Sequence, residues 1–289
     1  MSAATIERVV VIGAGTMGHG IAHVAALAGC AVRLHDVSPE FLAKGMENIR
    51  RNLEKGVEKK KITAEQRDAA LSRIRPAEEI SGAVVDADLV VEAAPEDLEV
   101  KQELAHTVFA AAPAHVIFAS NTSSLSLTSI AAAAKHPGQV VGMHFFNPPH
   151  LMPLIEIVIA EQTTVETVES VARLATRMNK EVIRVKDSPG FATSRLGVLL
   201  GLEAIRMLET GVASAQDIDR AMEKGYSHPM GPLRLTDLVG LDVRLAIAEH
   251  LFIEIGEQFR PPSLLRKMVR AGKLGKKSGQ GFYSWGNES

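Results

Sequence analysis

The chain has 289 residues, carries 32 basic against 34 acidic side chains, and contains one cysteine. That length suggests about two domains, and the near balance of charge gives no sign of a nucleic-acid or membrane-surface partner. One cysteine excludes an internal disulfide framework and fits a reducing, cytoplasmic setting; the start lacks a basic leader followed by an apolar stretch, and no apolar run reaches the ~18 residues of a membrane span.

In chain order, short apolar runs alternate with longer amphipathic stretches. Val9–Ile12, Val32–His35, Leu89–Val91, Val116–Ala119, Val140–Met143, Ile155–Ile159 and Val182–Val185 read as strands. Runs apolar on both faces suit strands covered by helices on both sides. Met17–Ala28, Phe41–Lys60, Leu98–Ala112 and Val165–Met178 read as helices between them. The alternation predicts an α/β Rossmann-type, doubly wound and mainly parallel sheet over residues 1–186. The pattern changes at Asp187-Ser188-Pro189-Gly190. Residues 187–289 read as a smaller all-helical domain, with helices over Phe191–Leu208, Ser214–Lys224, Asp242–Ile255 and Ser263–Arg270. The first of these is apolar around much of its circumference. That is more than a small domain easily covers, and it predicts a homodimer through this part of the chain.

Gly13-Ala14-Gly15-Thr16-Met17-Gly18 spells G-x-G-x-x-G between a strand and a helix. The first glycine permits a tight turn, the second admits a pyrophosphate, and the third lets helix and sheet pack closely. The helix N-terminus would offer its free N–H groups to the phosphates. Asp36 ends the next strand, where a carboxylate accepts hydrogen bonds from an adenosine ribose and repels the extra phosphate of NADP. The implied cofactor is NAD.

His144 lies near the end of a strand, before Phe145-Phe146-Asn147-Pro148, and the carboxyl ends of strands line the ligand crevice of open α/β sheets. Glu156 interrupts the apolar run Leu154–Ile159. A buried carboxylate needs a partner. A histidine is a suitable one, since the carboxylate would fix its tautomer and leave the other nitrogen as a base. From pattern alone, His144 reads equally as a satisfied core histidine and Glu156 as an exposed acid on an edge strand.

Several strings then coincide. Besides the glycine loop with Asp36, the chain contains Val91-Glu92-Ala93-Ala94-Pro95-Glu96, Ser120-Asn121-Thr122-Ser123-Ser124, His144-Phe145-Phe146-Asn147-Pro148, Ser188-Pro189-Gly190-Phe191 and Gly275-Lys276-Lys277-Ser278-Gly279-Gln280-Gly281-Phe282-Tyr283. Almost end to end it resembles the 3-hydroxyacyl-CoA dehydrogenases of the short-chain, 3-hydroxybutyryl-CoA type. The resemblance implies an NAD domain, a helical dimerisation domain and an acyl-CoA cleft between them. It implies that His144 is the general base, oriented by Glu156. Ser123 would bond the substrate oxygen near the nicotinamide, and Asn147 would place the ring and the reacting carbonyl. Glu96, Lys101 and Lys277 match positions near the cofactor, and Asn52 and Lys59 match positions near CoA. Ser194 stands where several members carry an asparagine that contacts the acyl group, and a hydroxyl cannot make both amide bonds. The preferred acyl chain is therefore open.

Two rival readings share these residues. One is a dehydrogenase of the same architecture acting on a sugar acid such as L-gulonate, and the other is an NAD-binding structural protein without turnover. His19 and His23 stand four apart on the first helix, but the glutamate of a zinc-type H-E-x-x-H is missing and no metal is expected.

Overall fold

The computed structural model describes residues 5–286; the first four residues and the last three lie outside them. Two compact units divide after Asp187. The first is built on one eight-stranded sheet in the order β3-β2-β1-β4-β5-β6-β7-β8. Its strands are β1 (Arg8–Ile12), β2 (Ala31–His35), β3 (Ile74–Ala77), β4 (Leu89–Glu92), β5 (Ile117–Ser120), β6 (Val140–Phe145), β7 (Leu154–Ile159) and β8 (Glu181–Lys186). Every residue of β4, β5 and β6 is buried, as expected for strands covered on both faces. Helices α1 (Gly18–Leu27), α2 (Pro39–Glu58), α3 (Ala64–Arg73), α4 (Ile80–Val84), α5 (Leu98–Ala111), α6 (Leu127–Ala132) and α7 (Val165–Arg177) supply the cover. The core of this unit gathers Val9, Val11, Ile21, Leu34, Ile49, Leu89, Val91, Met143, Ile155 and Ile157.

The chain runs outward from β1 through β2 to β3, then returns to place β4 on the other side of β1. Strand order therefore reverses between β1 and β4, and the crevice at such a switch point is where ligands bind in this architecture. All pairings are parallel except β6 with β7, which are antiparallel. That single reversal sets His144 directly opposite Glu156.

Three elements of this unit escape an apolar-run reading. β3, Ile-Arg-Pro-Ala, is a short edge strand whose Pro76 an interior position would not tolerate. α3 buries only Ala70 and owes its start to a capping box between Thr63 and Gln66. α4 is a five-residue turn of helix.

The second unit is helical: α8 (Thr193–Glu209), α9 (Ala215–Gly225), α10 (Pro232–Val239), α11 (Leu241–Glu254) and α12 (Ser263–Arg270). Val198, Leu202, Ile205, Leu233, Leu241, Leu251, Phe259 and Leu265 form its core. α10 was hidden in the sequence because Gly231-Pro232 reads as a turn, although proline is well suited to a first helical position. Its N-terminus is capped from a distance: buried Asp219 accepts from the backbone of Leu233 and Arg234 at 2.8 and 2.9 Å. Asp237, also buried, accepts from Phe282 N, Tyr283 N and Trp285 Nε1, so the C-terminal Gly-Phe-Tyr-Ser-Trp segment is pinned to α10. Among the described residues, no helix is long and apolar enough to cross a membrane.

Candidate active site

The glycine loop leaves the carboxyl end of β1 at the switch point. Gly13 has φ +97, and a Cβ there would lie 2.6 Å from Ala93 O; a Cβ on Gly18 would lie 1.6 Å from Gly13 O. Both positions demand glycine because backbone closes on them. Gly15 differs, because a Cβ there would meet nothing within 4 Å. Its bareness leaves open space outside the protein, as a cradle for a pyrophosphate requires. Thr16 and Met17 complete the turn into α1, with Met17 as its N-cap. Asp36 sits just beyond β2, its carboxylate accepting from Ala14 N at 2.7 Å and Ser38 N at 3.0 Å. Those two bonds fix the acid beside the loop. The residues present fit a dinucleotide with a free ribose 2′-hydroxyl.

His144 and Glu156 are 6% and 0% exposed, and Nδ1 of the ring lies 2.6 Å from Oε2 of the acid. β7 is not an edge strand, since β8 continues the sheet beyond it, so Glu156 is not the exposed edge acid that the pattern left open. Directly opposed residues of an antiparallel pair share a face of the sheet. With Nδ1 against a carboxylate, the neutral ring carries its proton there and its lone pair on Nε2, the arrangement of a general base. The ring of Phe146 lies against His144, with centroids 4.7 Å apart.

The Asn121–Ser124 loop at the end of β5 is held by two acids. Glu96 Oε1 accepts from Thr122 Oγ1 at 2.6 Å, Ser123 N at 3.0 Å, Ser124 N at 3.1 Å and Ser124 Oγ at 3.0 Å, with Ser123 Oγ at 3.4 Å. Burial opposes ionisation of Glu96, but these bonds and the nearby Lys101 charge outweigh it and hold the carboxyl below its ordinary range. Lys101 is itself 1% exposed. Its ammonium donates to Glu92 Oε1 at 2.7 Å and Ala94 O at 3.3 Å, and lies 3.4 Å from Glu96 Oε2. Glu92, fully buried at the end of β4, accepts in addition from Ala94 N and Ser120 Oγ, both at 2.6 Å. Lys101 thus braces the loops rather than projecting from the surface. Glu92 is the residue that sequence reading passed over. Unlike Glu156, which interrupts an apolar run, it stands at the end of one and so gave no comparable signal. Asn121 Oδ1 accepts from Phe145 N at 2.9 Å and ties the same loop to β6.

Asn147 is exposed and precedes a cis peptide to Pro148. The loop after it is clamped by buried Lys180, whose ammonium donates to the carbonyls of Pro149 and Met152. Lys180 too was not anticipated. Of the helix histidines, His19 Nδ1 lies 2.7 Å from Gly15 O, while His23 stacks on His150 with centroids 5.2 Å apart. Burial pulls His23 down to about 3, so it is neutral. Asn52 lies half-buried on α2 and Lys59 is exposed at its C-cap. In the second unit, Lys277 pairs with Asp242 at 2.6 Å, and Ser194 lies in the first turn of α8.

A Rossmann-type sheet with a glycine cradle at its switch point and a buried histidine–glutamate pair near the carboxyl end of another strand, β6, defines the class, a nicotinamide-dependent oxidoreductase. The profile of the 3-hydroxyacyl-CoA dehydrogenase NAD binding domain matches residues 8–188, and that of the C-terminal domain matches residues 190–285. The chain belongs to the 3-hydroxyacyl-CoA dehydrogenase family. It is 43% identical over 281 residues to a probable 3-hydroxybutyryl-CoA dehydrogenase of Bacillus subtilis, covering 97% of this chain and 98% of that one. It is 42% identical over 282 residues to the 3-hydroxyadipyl-CoA dehydrogenase of Escherichia coli, covering 97% of this chain and 59% of that protein. The crystal structure of (S)-3-hydroxybutyryl-CoA dehydrogenase PaaH1 from Ralstonia eutropha superposes with a TM-score of 0.93 at 38% identity, covering 98% of this chain and all of that one.

Proposed function

We propose that the protein oxidises the 3-hydroxyl of a short L-3-hydroxyacyl-CoA to the 3-oxoacyl-CoA, with NAD as acceptor. The observation that carries this reading is the buried 2.6 Å contact between His144 and Glu156. NAD, when bound, supplies the acceptor for the hydride that leaves C3. His144 Nε2 takes the hydroxyl proton as the C3–O bond becomes a carbonyl. Glu156 stabilises the resulting imidazolium, and the proton then passes to solvent. Alkoxide character grows on the substrate oxygen as hydride leaves, so a hydroxyl donor should meet it. Ser123 is our candidate, its loop held by Glu96. Asn147 is assigned to the placing of nicotinamide and the reacting carbonyl, Asp36 to the adenosine ribose, Lys277 to the cofactor side, and Asn52 and Lys59 to CoA. Lys101 acts on the cofactor side through Glu96 and Glu92. The deciding assay is NADH oxidation on adding acetoacetyl-CoA, with L-gulonate and NAD as the rival pair. Turnover of the sugar acid alone, or of neither substrate, would overturn the reading.

We further infer a homodimer formed through the second unit. Leu196 on α8, Leu235, Leu238 and Val239 on α10, and Val243 on α11 are exposed by 69, 40, 40, 41 and 42%. Apolar groups in such number on neighbouring helices suit a self-complementary interface. A monomeric mass by light scattering at micromolar concentration would refute it. The free, buried thiol of Cys30 accords with a reducing, cytoplasmic location.

A further inference from the structure

Lys180 is 9% exposed, and its ammonium donates to two carbonyls, Pro149 O and Met152 O. Burial lowers its pKa, and among the described residues no carboxylate offsets that loss. Taking a cation out of water without a countercharge is costly, and an apolar side chain would fill the same space at less cost. What the ammonium offers that an apolar group does not is direction, since it ties two carbonyls of one short turn to a single point.

That point is rigid. α7 ends in a Schellman motif: Asn179 is left-handed at φ +57, with Asn179 N donating to Thr176 O at 2.9 Å and Lys180 N to Ala175 O at 3.0 Å. The next residue, Glu181, begins β8 and donates its N–H to Pro153 O at 2.8 Å. Lys180 therefore stands on the join of a helix and a strand, with its backbone fixed on both sides. The turn it grips follows Asn147, and Pro148 O closes it by accepting from Leu151 N at 3.0 Å and Met152 N at 3.1 Å. The same turn leans on α1, the helix that leaves the glycine cradle. A Cβ on Gly20 would lie 2.7 Å from Pro149 Cδ, and the ring of His150 stacks on that of His23. Asn147 itself is exposed, and among the described residues no hydrogen bond fixes its amide. Its placement is left to the backbone on either side: β6, where Asn121 holds Phe145 N, and the turn held by Lys180.

We propose that Lys180 is a positioning residue for the reaction: by fixing the Pro149–Met152 turn, it sets where Asn147 presents its amide to the nicotinamide and the reacting carbonyl. This rests on the dehydrogenase reading above and on the role given there to Asn147. Lys180 acts at second hand, through the backbone, and meets neither substrate nor cofactor. Reaction geometry is sensitive on this scale, a displacement of about 1 Å costing on the order of 100-fold in rate.

The test is a double-mutant cycle on the full chain, with NADH and acetoacetyl-CoA as probes: wild type, Lys180→Met, Asn147→Ala and the two together. Lys180→Met should lower kcat by at least about tenfold. The dissociation constant for NADH should stay within about threefold, because the Gly13–Gly18 loop is held by its own bonds to His35 O and Asp36. In the Asn147→Ala background the same substitution should change kcat by less than about threefold. Should Lys180→Met fail to fold, Lys180→Gln, whose amide still donates to one carbonyl, takes its place in the cycle. An equal fall in kcat in both backgrounds makes Lys180 a support of the fold alone and overturns the proposal, as does Lys180→Met with wild-type kcat. Asn147→Ala with wild-type kcat overturns it too, since Lys180 would have nothing to act through. Absence of turnover by the wild type would instead refute the dehydrogenase reading.

Discussion

Replacing Glu156 with Gln keeps the side chain's shape and removes its charge. Glu156 is fully buried and 2.6 Å from the ring, so its charge acts on the imidazolium with little screening by solvent. Taking the two charge centres as about 4 Å apart and an effective dielectric of ~20, the carboxylate favours the imidazolium by roughly 4 kcal/mol. The glutamine amide also donates, and an N–H directed at Nδ1 would force the ring proton onto Nε2, where the lone pair is needed. The expected outcome is a kcat lower by about 100- to 1000-fold, or ~3–4 kcal/mol in the barrier. The dissociation constant for NADH should stay within about threefold, because the cradle at Gly13–Gly18 is formed by other strands. Stopped-flow NADH oxidation with acetoacetyl-CoA and fluorescence titration of NADH measure the two quantities. A fall of less than tenfold, or a loss confined to NADH affinity, would refute the reasoning.

Further outcomes follow from the same geometry. Gly15→Ala should melt like the wild type, since its Cβ has free space, yet bind NADH at least about tenfold more weakly; Gly18→Ala should lose on the order of 2 kcal/mol or more of stability, since its Cβ would collide with Gly13 O. Equal behaviour of the two variants in thermal melts and NADH titration would sink that distinction. Asp36→Ala should narrow the preference for NADH over NADPH, read as the ratio of kcat/KM values, and an unchanged ratio would remove Asp36 from the ribose site. His23 stays neutral in the fold, down to about 3, while the unfolded chain protonates it near 6.5. The unfolded state therefore binds the extra proton between those values. The contribution is complete above pH ~6.5 and is lost as pH falls, with a slope approaching 1.4 kcal/mol per pH unit. Urea melts from pH 7 to pH 5 should show a shallower slope in His23→Leu, and parallel curves would exclude His23 as the source.

The parts of this molecule that were legible in the sequence are those with period or punctuation. Seven of the eight strands announced themselves as apolar runs, and the Gly13–Gly18 loop lay between the predicted strand and helix. What stayed hidden depended on contacts distant in sequence. α10 begins at Gly231-Pro232 and is capped by Asp219 from α9, a partnership that no local window contains. Glu92 and Lys180 are central to the loops around the site, but a lone acid at a strand end and a lone lysine before a strand look like ordinary surface residues. Lys101 was expected near the cofactor, while its near-complete burial against Glu92 could not be inferred from spacing. His144 and Glu156 needed the reversal of one strand, and nothing in two similar apolar runs gives their relative direction.

That reversal has a consequence for how the site can change over evolutionary time. Parallel neighbours need a long crossover, so residues facing each other across them come from distant stretches of chain. The β6–β7 turn instead encodes acid and base within one short segment, separated by 12 positions. The glycine cradle with Asp36 is written elsewhere, in the first three dozen residues. The proton pair and the glycine cradle are thus carried on separate stretches of gene, and a lineage could alter one without disturbing the other.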